Sequence, residues 1–374
     1  MHPSLPAVRL LAAVACGADA ATVGERREEA TDEARLLQVA GALGMTLALD
    51  AVAESLGLAV DTRRRLVAGS MVVALARDNA LHLLGALHDA GVPSSRAVVI
   101  KGGAVALAMP AEAHRAMCDV DVVVPDADVP AWIAAAERVG INARRTTGYE
   151  VAYLTRDRGM IELHLALPGF AGNDAGPNWD ALHRRAHRVE GGSWLVPDAP
   201  VAREIAVQHF LFHHGGEAGH ALRTLQDLTL LDDGGEGDGL EWGNPAVARA
   251  TARMREIARA IREGRDSDPD ADAFLSSLAT ILGEQSSRSF AEESRHWIEQ
   301  QRGAVARLRL LARRVAPPVS EMRKAPDDST LTIAVRYARR PFDLLGKYRA
   351  AARADKGRGD AITGWRAEIE RLGR

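Results

Sequence analysis

Residues 98–125 read VVIKGGAVALAMPAEAHRAMCDVDVVVP. An apolar run enters a Lys101-Gly102-Gly103 turn, a helix-like segment follows, and a second apolar run carries Asp119 and Asp121. Side chains alternate faces along a strand, so two acids two residues apart project to the same side. Unpaired carboxylates in an apolar core are heavily penalised. A divalent cation is the simplest remedy, and hard oxygen donors suit Mg²⁺, which keeps waters and takes one or two protein carboxylates plus substrate phosphates.

The surroundings of this stretch set the fold class. Residues 1–90 read as helices: Leu36, Val39, Ala40, Leu43 and Leu47 recur at helical spacing, as do Ala76, Ala80, Leu83, Leu84 and Leu87. A mixed region follows, with strands expected at 97–100, 118–124, 149–155 and 160–167 and helices at 103–109 and 129–139. Asp128 is the expected N-cap of the second of these helices. Arg156-Asp157-Arg158-Gly159 separates two alternating runs and predicts a hairpin whose arms pair antiparallel. Residues 168–198 are rich in Gly, Pro, Asn and Trp and read as irregular loops, and from Pro200 onward the chain returns to helix. The expected architecture is α+β: a small mixed β-sheet core at 91–199, an N-terminal helical region at 1–90 and a C-terminal helical domain at 200–374.

Four motifs in order carry a resemblance: Lys101-Gly102, Arg115, Asp119-Val120-Asp121 and Glu162-Leu163-His164. Together they resemble the uncharacterised bacterial nucleotidyltransferases of the polymerase-beta-like superfamily, over about residues 80–235. The segment 107–114 departs from the pattern, since relatives usually carry a tyrosine there. The resemblance implies a Mg²⁺-dependent enzyme (Mn²⁺ is an alternative ion) that takes a nucleoside triphosphate and joins its nucleoside monophosphate to an acceptor hydroxyl, releasing pyrophosphate. Such transfer needs charge neutralisation and alignment of nucleophile with leaving group, which two metals on bridging carboxylates achieve. Asp119 and Asp121 are the expected pair, and Glu162 is the third acid, as metal ligand or general base. Period-2 alternation puts Glu162 and His164 on one face and Ile161, Leu163 and Leu165 on the other.

The remaining candidates each carry two readings. Gly102 and Gly103 follow a strand and open a helix, where backbone amides can approach phosphate. Lys101 either contacts a phosphate or is a strand-end lysine facing solvent. Arg115 either braces the triphosphate or pairs with Asp119 or Asp121. His164 positions the acceptor or hydrogen-bonds Glu162. His209 and His213 stand at the i, i+4 spacing that zinc sites use, but neighbouring Phe210, Leu211 and Phe212 favour core packing. In the resembling family a helix with histidine, arginine and acid-Leu follows the sheet, and Arg223 and Asp227 fit that description with unassigned roles. Replacing Asp119 and Asp121 together by Asn is expected to leave the fold intact or slightly stabilised.

Composition bounds the alternatives. The 374 residues are 47% hydrophobic and 26% charged, with net charge −3, ordinary for a globular protein and no argument for a nucleic acid or membrane partner. No run reaches the roughly 20 apolar residues a membrane-spanning helix needs. Cys16 and Cys118 stand outside metal-ligand spacing and read as free thiols in a reducing cytoplasm, with Cys118 pointing into the core. Residues 302–324 hold seven basic residues and one acid, and 336–374 hold eleven basic and five acidic. These are solvated helix faces or a site for a polyanion such as tRNA. Two readings therefore compete with transfer to a small molecule or peptide: an RNA-directed transferase, and a catalytically silent nucleotide- or partner-binding protein.

Overall fold

The computed structural model describes residues 2–109, 114–145, 150–157, 159–165, 167, 179–214, 216–232, 245–265, 267–283, 329–355 and 359–373. Residues 1–286 with 364–374 form one compact unit, and residues 287–363 a second. In the second unit the described structure is mainly a long helix, Thr330–Asp355. The segment 302–324, read above as a basic stretch, and the glycine-rich segment 234–239 lie outside the described residues.

The first unit opens with five helices: α1 (Leu5–Ala15), α2 (Ala20–Glu29), α3 (Glu33–Ala42), α4 (Thr46–Val52) and the 30-residue α5 (Val60–Asp89). The apolar helix α1 is buried along most of its length and packs on later helices, with Arg9 tied to Asp272 at 2.6 Å. Helix α2, which holds the charge run at 25–29, has no buried residue.

The sheet follows in a helix-rich chain, as expected of an α+β fold. Strand β1 (Val98–Ile100) runs into helix α6 (Lys101–Ala108), and β2 (Asp119–Val123) leads through a turn to α7 (Val129–Arg138). Strands β3 (Asn142–Arg145), β4 (Glu150–Arg156) and β5 (Gly159–His164) come next, then α8 (Trp179–Arg184), β6 (Ala186–Arg188) and β7 (Leu195–Pro197). All seven strands form one mixed sheet in the order β3-β4-β5-β2-β1-β7-β6, which puts the acid-bearing β2 at its centre. It pairs antiparallel with β1 and parallel with β5. The hairpin is present: β4 and β5 pair antiparallel, closing on Arg156 opposite Gly159.

Three strands were not legible. Asn142-Ala-Arg-Arg has no apolar alternation, and β6 and β7 are three residues each inside a Gly- and Trp-rich segment. All three are held by pairing with a neighbouring strand rather than by their own pattern. Asp128 sits at the N-cap position of α7 but makes no side-chain cap; it accepts from Arg96 at 3.1 Å instead.

The two faces of the sheet differ, and that difference places the site. Val99, Val120, Val122, Ile161 and Leu163 point to one face, beneath Ala80, Leu83, Leu84 and Leu87 of α5 and Trp132 of α7. Each fully buried Val or Leu contributes about 1.5–3 kcal/mol relative to exposure, so this face fixes the register. The opposite face takes Val98, Ile100 and Val123 under Leu182 of α8 and Val201 and Ile205 of α9 (Ala199–Gln208). Asp119, Asp121, Glu162 and His164 belong to this second face, beside its apolar cluster. A one-residue slip would drive the acids into the α5 core.

After α9 the chain makes a π-turn over His209–His213 and continues into α10 (Ala218–Leu230), α11 (Pro245–Arg262) and α12 (Pro269–Gly283). With Thr330–Asp355 counted as α13, the last helix, α14 (Gly359–Gly373), returns its C-terminal part to the first unit. There Trp365 is 6% exposed, lies near Phe274 and Phe210, and donates through Nε1 to the carbonyl of Gly216 at 2.5 Å.

Candidate active site

The site begins with the register of two parallel strands. Asp121 of β2 stands directly opposite Glu162 of β5, Asp119 opposite Met160, and Val123 opposite His164. Asp119, Asp121, Glu162 and His164 therefore share one face in two adjacent columns. Ligand atoms of Asp121, Glu162 and His164 all lie within 4.8 Å of one another.

Asp121 is the most enclosed of the acids, at 5% exposure. Its Oδ1 accepts from Lys101 Nζ at 2.6 Å, and His164 Nε2 lies 2.8 Å from the same oxygen. Glu162 Oε2 is further from His164 Nε2, at 3.7 Å. Burial alone would raise the Asp121 carboxyl, but Lys101 and His164 outweigh it and hold it well below the usual carboxylate range. Asp119 goes the other way: burial and the charge of Asp121 raise it. One carboxylate of the pair is thus already neutralised, and its neighbour carries the unbalanced charge.

The structure corrects one reading of Lys101. Its side chain is 9% exposed and bound to Asp121 rather than facing solvent. The strand-to-helix junction explains how. Lys101 has φ +53°, a left-handed conformation that costs a non-glycine residue on the order of 1–3 kcal/mol. That kink turns the chain from β1 into α6 while the side chain stays over the sheet.

The strand-acid pairing read for Arg115 is corrected too. The side chain pairs with neither strand acid: Nε and Nη2 donate to Asp227 of α10, the latter at 2.8 Å, and Nη1 donates to the carbonyl of Ala116 at 3.1 Å. Burial opposes its charge, but Asp227 first, and Asp119 and Asp121 after it, raise its pKa. The guanidinium packs against α6, where a Cβ on Gly102 would meet it and lie 2.9 Å from its Cζ. Gly103 seats α6 on the sheet, since a Cβ there would lie 2.9 Å from Val99 Cγ1 and 3.0 Å from Val120 Cγ1. Both glycines are thus required by close packing. Asp227 was quoted in the sequence without a role; the signal available was an acid among Leu222, Leu225 and Leu228 on the buried face of a helix.

Cys118 precedes β2 and is exposed, not core-facing as expected. Cys16 is buried at the C-cap of α1, where burial pushes its thiol up to about 12.

The histidines assemble differently from the i, i+4 expectation. The π-turn closes with His214 N donating to His209 O at 2.9 Å, an i, i+5 bond that sets His209 and His214 side by side. The side chain of His213 lies outside the described residues. His209, His214 and His220 offer ligand atoms within 4.8 Å, but the rings of His214 and His220 stack at 3.7 Å and 17°. In-plane lone pairs of stacked rings run parallel and do not converge on one ion. Arg223 Nη2 also donates to His220 Nδ1 at 3.1 Å, occupying that lone pair. This arrangement does not suit zinc. Phe210 and Leu211 between them are buried, in line with the packing expectation.

A family model described as "Uncharacterised nucleotidyltransferase" matches residues 27–261, well over half of the chain, and spans every residue named above at the site. The chain belongs to that nucleotidyltransferase family. It is therefore a transferase, and nucleotidyl transfer from a nucleoside triphosphate is its general chemistry. No curated protein and no solved structure gives a match. Among the described residues, no helix is long and apolar enough to cross a membrane.

Enzymes of this chemistry generally use a divalent cation. The donor set here suits one: hard carboxylate oxygens from two adjacent strands, on one face, with a surplus of negative charge at Asp119.

Proposed function

We propose that this protein is a Mg²⁺-dependent nucleotidyltransferase that moves a nucleoside monophosphate onto a hydroxyl of a small-molecule or peptide acceptor and releases pyrophosphate. The observation that carries the reading is the register of Asp121 against Glu162, with Asp119 two residues away on the same face. Asp121 is balanced by the Lys101 ion pair, and a surplus of negative charge falls at Asp119 on the same face. Asp119, Asp121 and Glu162 would hold the metal, with Mn²⁺ as the alternative ion. When bound, the metal supplies charge neutralisation at the triphosphate and a more acidic acceptor hydroxyl.

The chain's own residues do the rest. Lys101 and His164 keep Asp121 ionised and fixed in direction, so it needs no reorganisation as charge develops. Glu162, less enclosed than Asp121, is placed to accept the acceptor's proton. The Arg115–Asp227 pair fixes the entry to β2 against α10, which holds the acid column at a constant distance from the helical wall. The helices before and after the core would select the acceptor.

The reading is tested with α-labelled nucleoside triphosphates and pools of small hydroxylated acceptors, following label transfer and pyrophosphate release. Glu162→Gln should reduce turnover at least 100-fold while nucleotide affinity changes less than threefold. Equal loss of both would make Glu162 a binding ligand only, and undiminished turnover would sink the assignment.

A further inference from the structure

Among the charged side chains around the site, Arg223 differs from the others. Lys101 is matched by Asp121 and Arg115 by Asp227. Arg223 is half-buried, and its hydrogen bonds are Nε to the carbonyl of Gly219 at 3.3 Å and Nη2 to His220 Nδ1 at 3.1 Å, both on its own helix α10. Among the described residues, no carboxylate lies within ion-pair distance of it. Enclosed arginines are normally paired.

The guanidinium is nonetheless held in place. The α3–α4 turn passes against its stem at Gly44, where a Cβ would lie 3.0 Å from both Cδ and Nε. Gly44 has φ +66°, so the turn needs glycine for its backbone as well as for the close approach. The same turn meets α10 at Gly219, whose Cβ would lie 3.2 Å from the carbonyl of Ala42. Arg223 is thus clamped between two glycine approaches and a histidine, one helical turn from Asp227. Burial, then repulsion from Arg115, lowers its pKa, while Asp227, Cys118 and Asp119 pull the other way. The side chain thus lies within electrostatic reach of Asp119 at the edge of the acid column.

A rigid, unmatched guanidinium fork beside an acid site suits a phosphate, which it can bind bidentately. We infer that Arg223 binds the non-reacting phosphates of the nucleoside triphosphate, and that the N-terminal helices serve the site by holding this arginine through Gly44. Resting on the nucleotidyltransferase reading, the assignment names the residue that takes the leaving group. The triphosphate tail is favoured over a phosphorylated acceptor because it is the most anionic group the reaction brings in.

The test is calorimetry of a nucleoside triphosphate and its monophosphate, each with Mg²⁺, on wild type, Arg223→Met and Arg223→Lys. Methionine keeps the aliphatic stem against Gly44, and lysine keeps the charge without the fork. Arg223→Met should weaken triphosphate binding at least 30-fold and monophosphate binding less than threefold, with Arg223→Lys intermediate. Unchanged triphosphate affinity, equal loss for both nucleotides, or no binding by wild type would overturn the inference. Asp119→Asn separates the two claims. Arg223-dependent binding that ignores Asp119→Asn would sink the metal-site reading alone; the reverse pattern would sink Arg223 alone.

Discussion

At the scale of single residues, the two strand acids are not equivalent. Asp121 is paired by Lys101 and His164, whereas Asp119 is raised by burial and by its neighbour. The expectation that replacing both by Asn relieves repulsion therefore holds for one of them only. Asp121→Asn strands a buried ammonium and should cost about 3 kcal/mol, the lower range for removing one partner of a buried ion pair. Asp119→Asn should raise the melting temperature in EDTA at pH 7, by ~2–4 °C for a gain of ~1 kcal/mol. The pH dependence follows from the sign of the shift. A carboxyl raised in the fold destabilises as pH rises through and above its unfolded range, near 4, so the Asp119→Asn advantage should be absent at pH 3 and grow toward pH 7. An advantage that stays flat with pH would show that charge is not its cause. Sequence gave the acids, Glu162 and His164 on one face through simple alternation. It could not give the partners of Lys101 and Arg115, because those depend on a left-handed backbone kink and on a helix 112 positions downstream.

At the scale of elements, the joints around β2 are the sensitive points. Helix α6 sits on the sheet without room for a methyl at Gly103, so Gly103→Ala should cost about 1–3 kcal/mol as an overpacked core position. Denaturant titration checks the figure, and an unchanged midpoint would mean that α6 can lift freely. Asp227 anchors α10 to the entry of β2, and Asp227→Asn should cost about 3–5 kcal/mol by leaving Arg115 enclosed without its partner. Adding Arg115→Met should recover part of that loss in a double-mutant cycle; strict additivity would show that the pair is not coupled. Periodic elements were the readable ones. Helices α3 and α5, strands β2 and β5 and the β4–β5 hairpin all announce themselves through apolar spacing. Strands β3, β6 and β7 exist because a neighbour's edge is available, and a one-dimensional pattern does not display that. The π-turn at His209–His213 likewise replaces an i, i+4 pair by an i, i+5 one, which spacing alone does not distinguish.

At the scale of the whole molecule, the acid-bearing sheet is one layer of the first unit, to which residues from both the N-terminal helices and 364–374 contribute. Helix α1 packs on α10 and α12, and Arg371 of α14 binds Asp270 at 2.5 Å and Glu368 at 2.7 Å. Trp365 is the anchor of that return, and Trp365→Ala should cost about 3–5 kcal/mol, as large-to-small core changes do. A melting temperature within a degree of wild type would mean that α14 adds nothing to the first unit. All of these elements serve one claim, that Asp119, Asp121 and Glu162 form a metal site for nucleotidyl transfer. The most direct test is calorimetric titration of ATP, GTP, CTP and UTP into wild type and Asp119→Asn, with Mg²⁺ and with EDTA. Binding requires no knowledge of the acceptor. Wild type should bind at least one triphosphate in the presence of Mg²⁺, and EDTA or Asp119→Asn should weaken this binding at least tenfold. Wild type that binds none of the four, or binds equally well without the metal or the carboxylate, would contradict that claim.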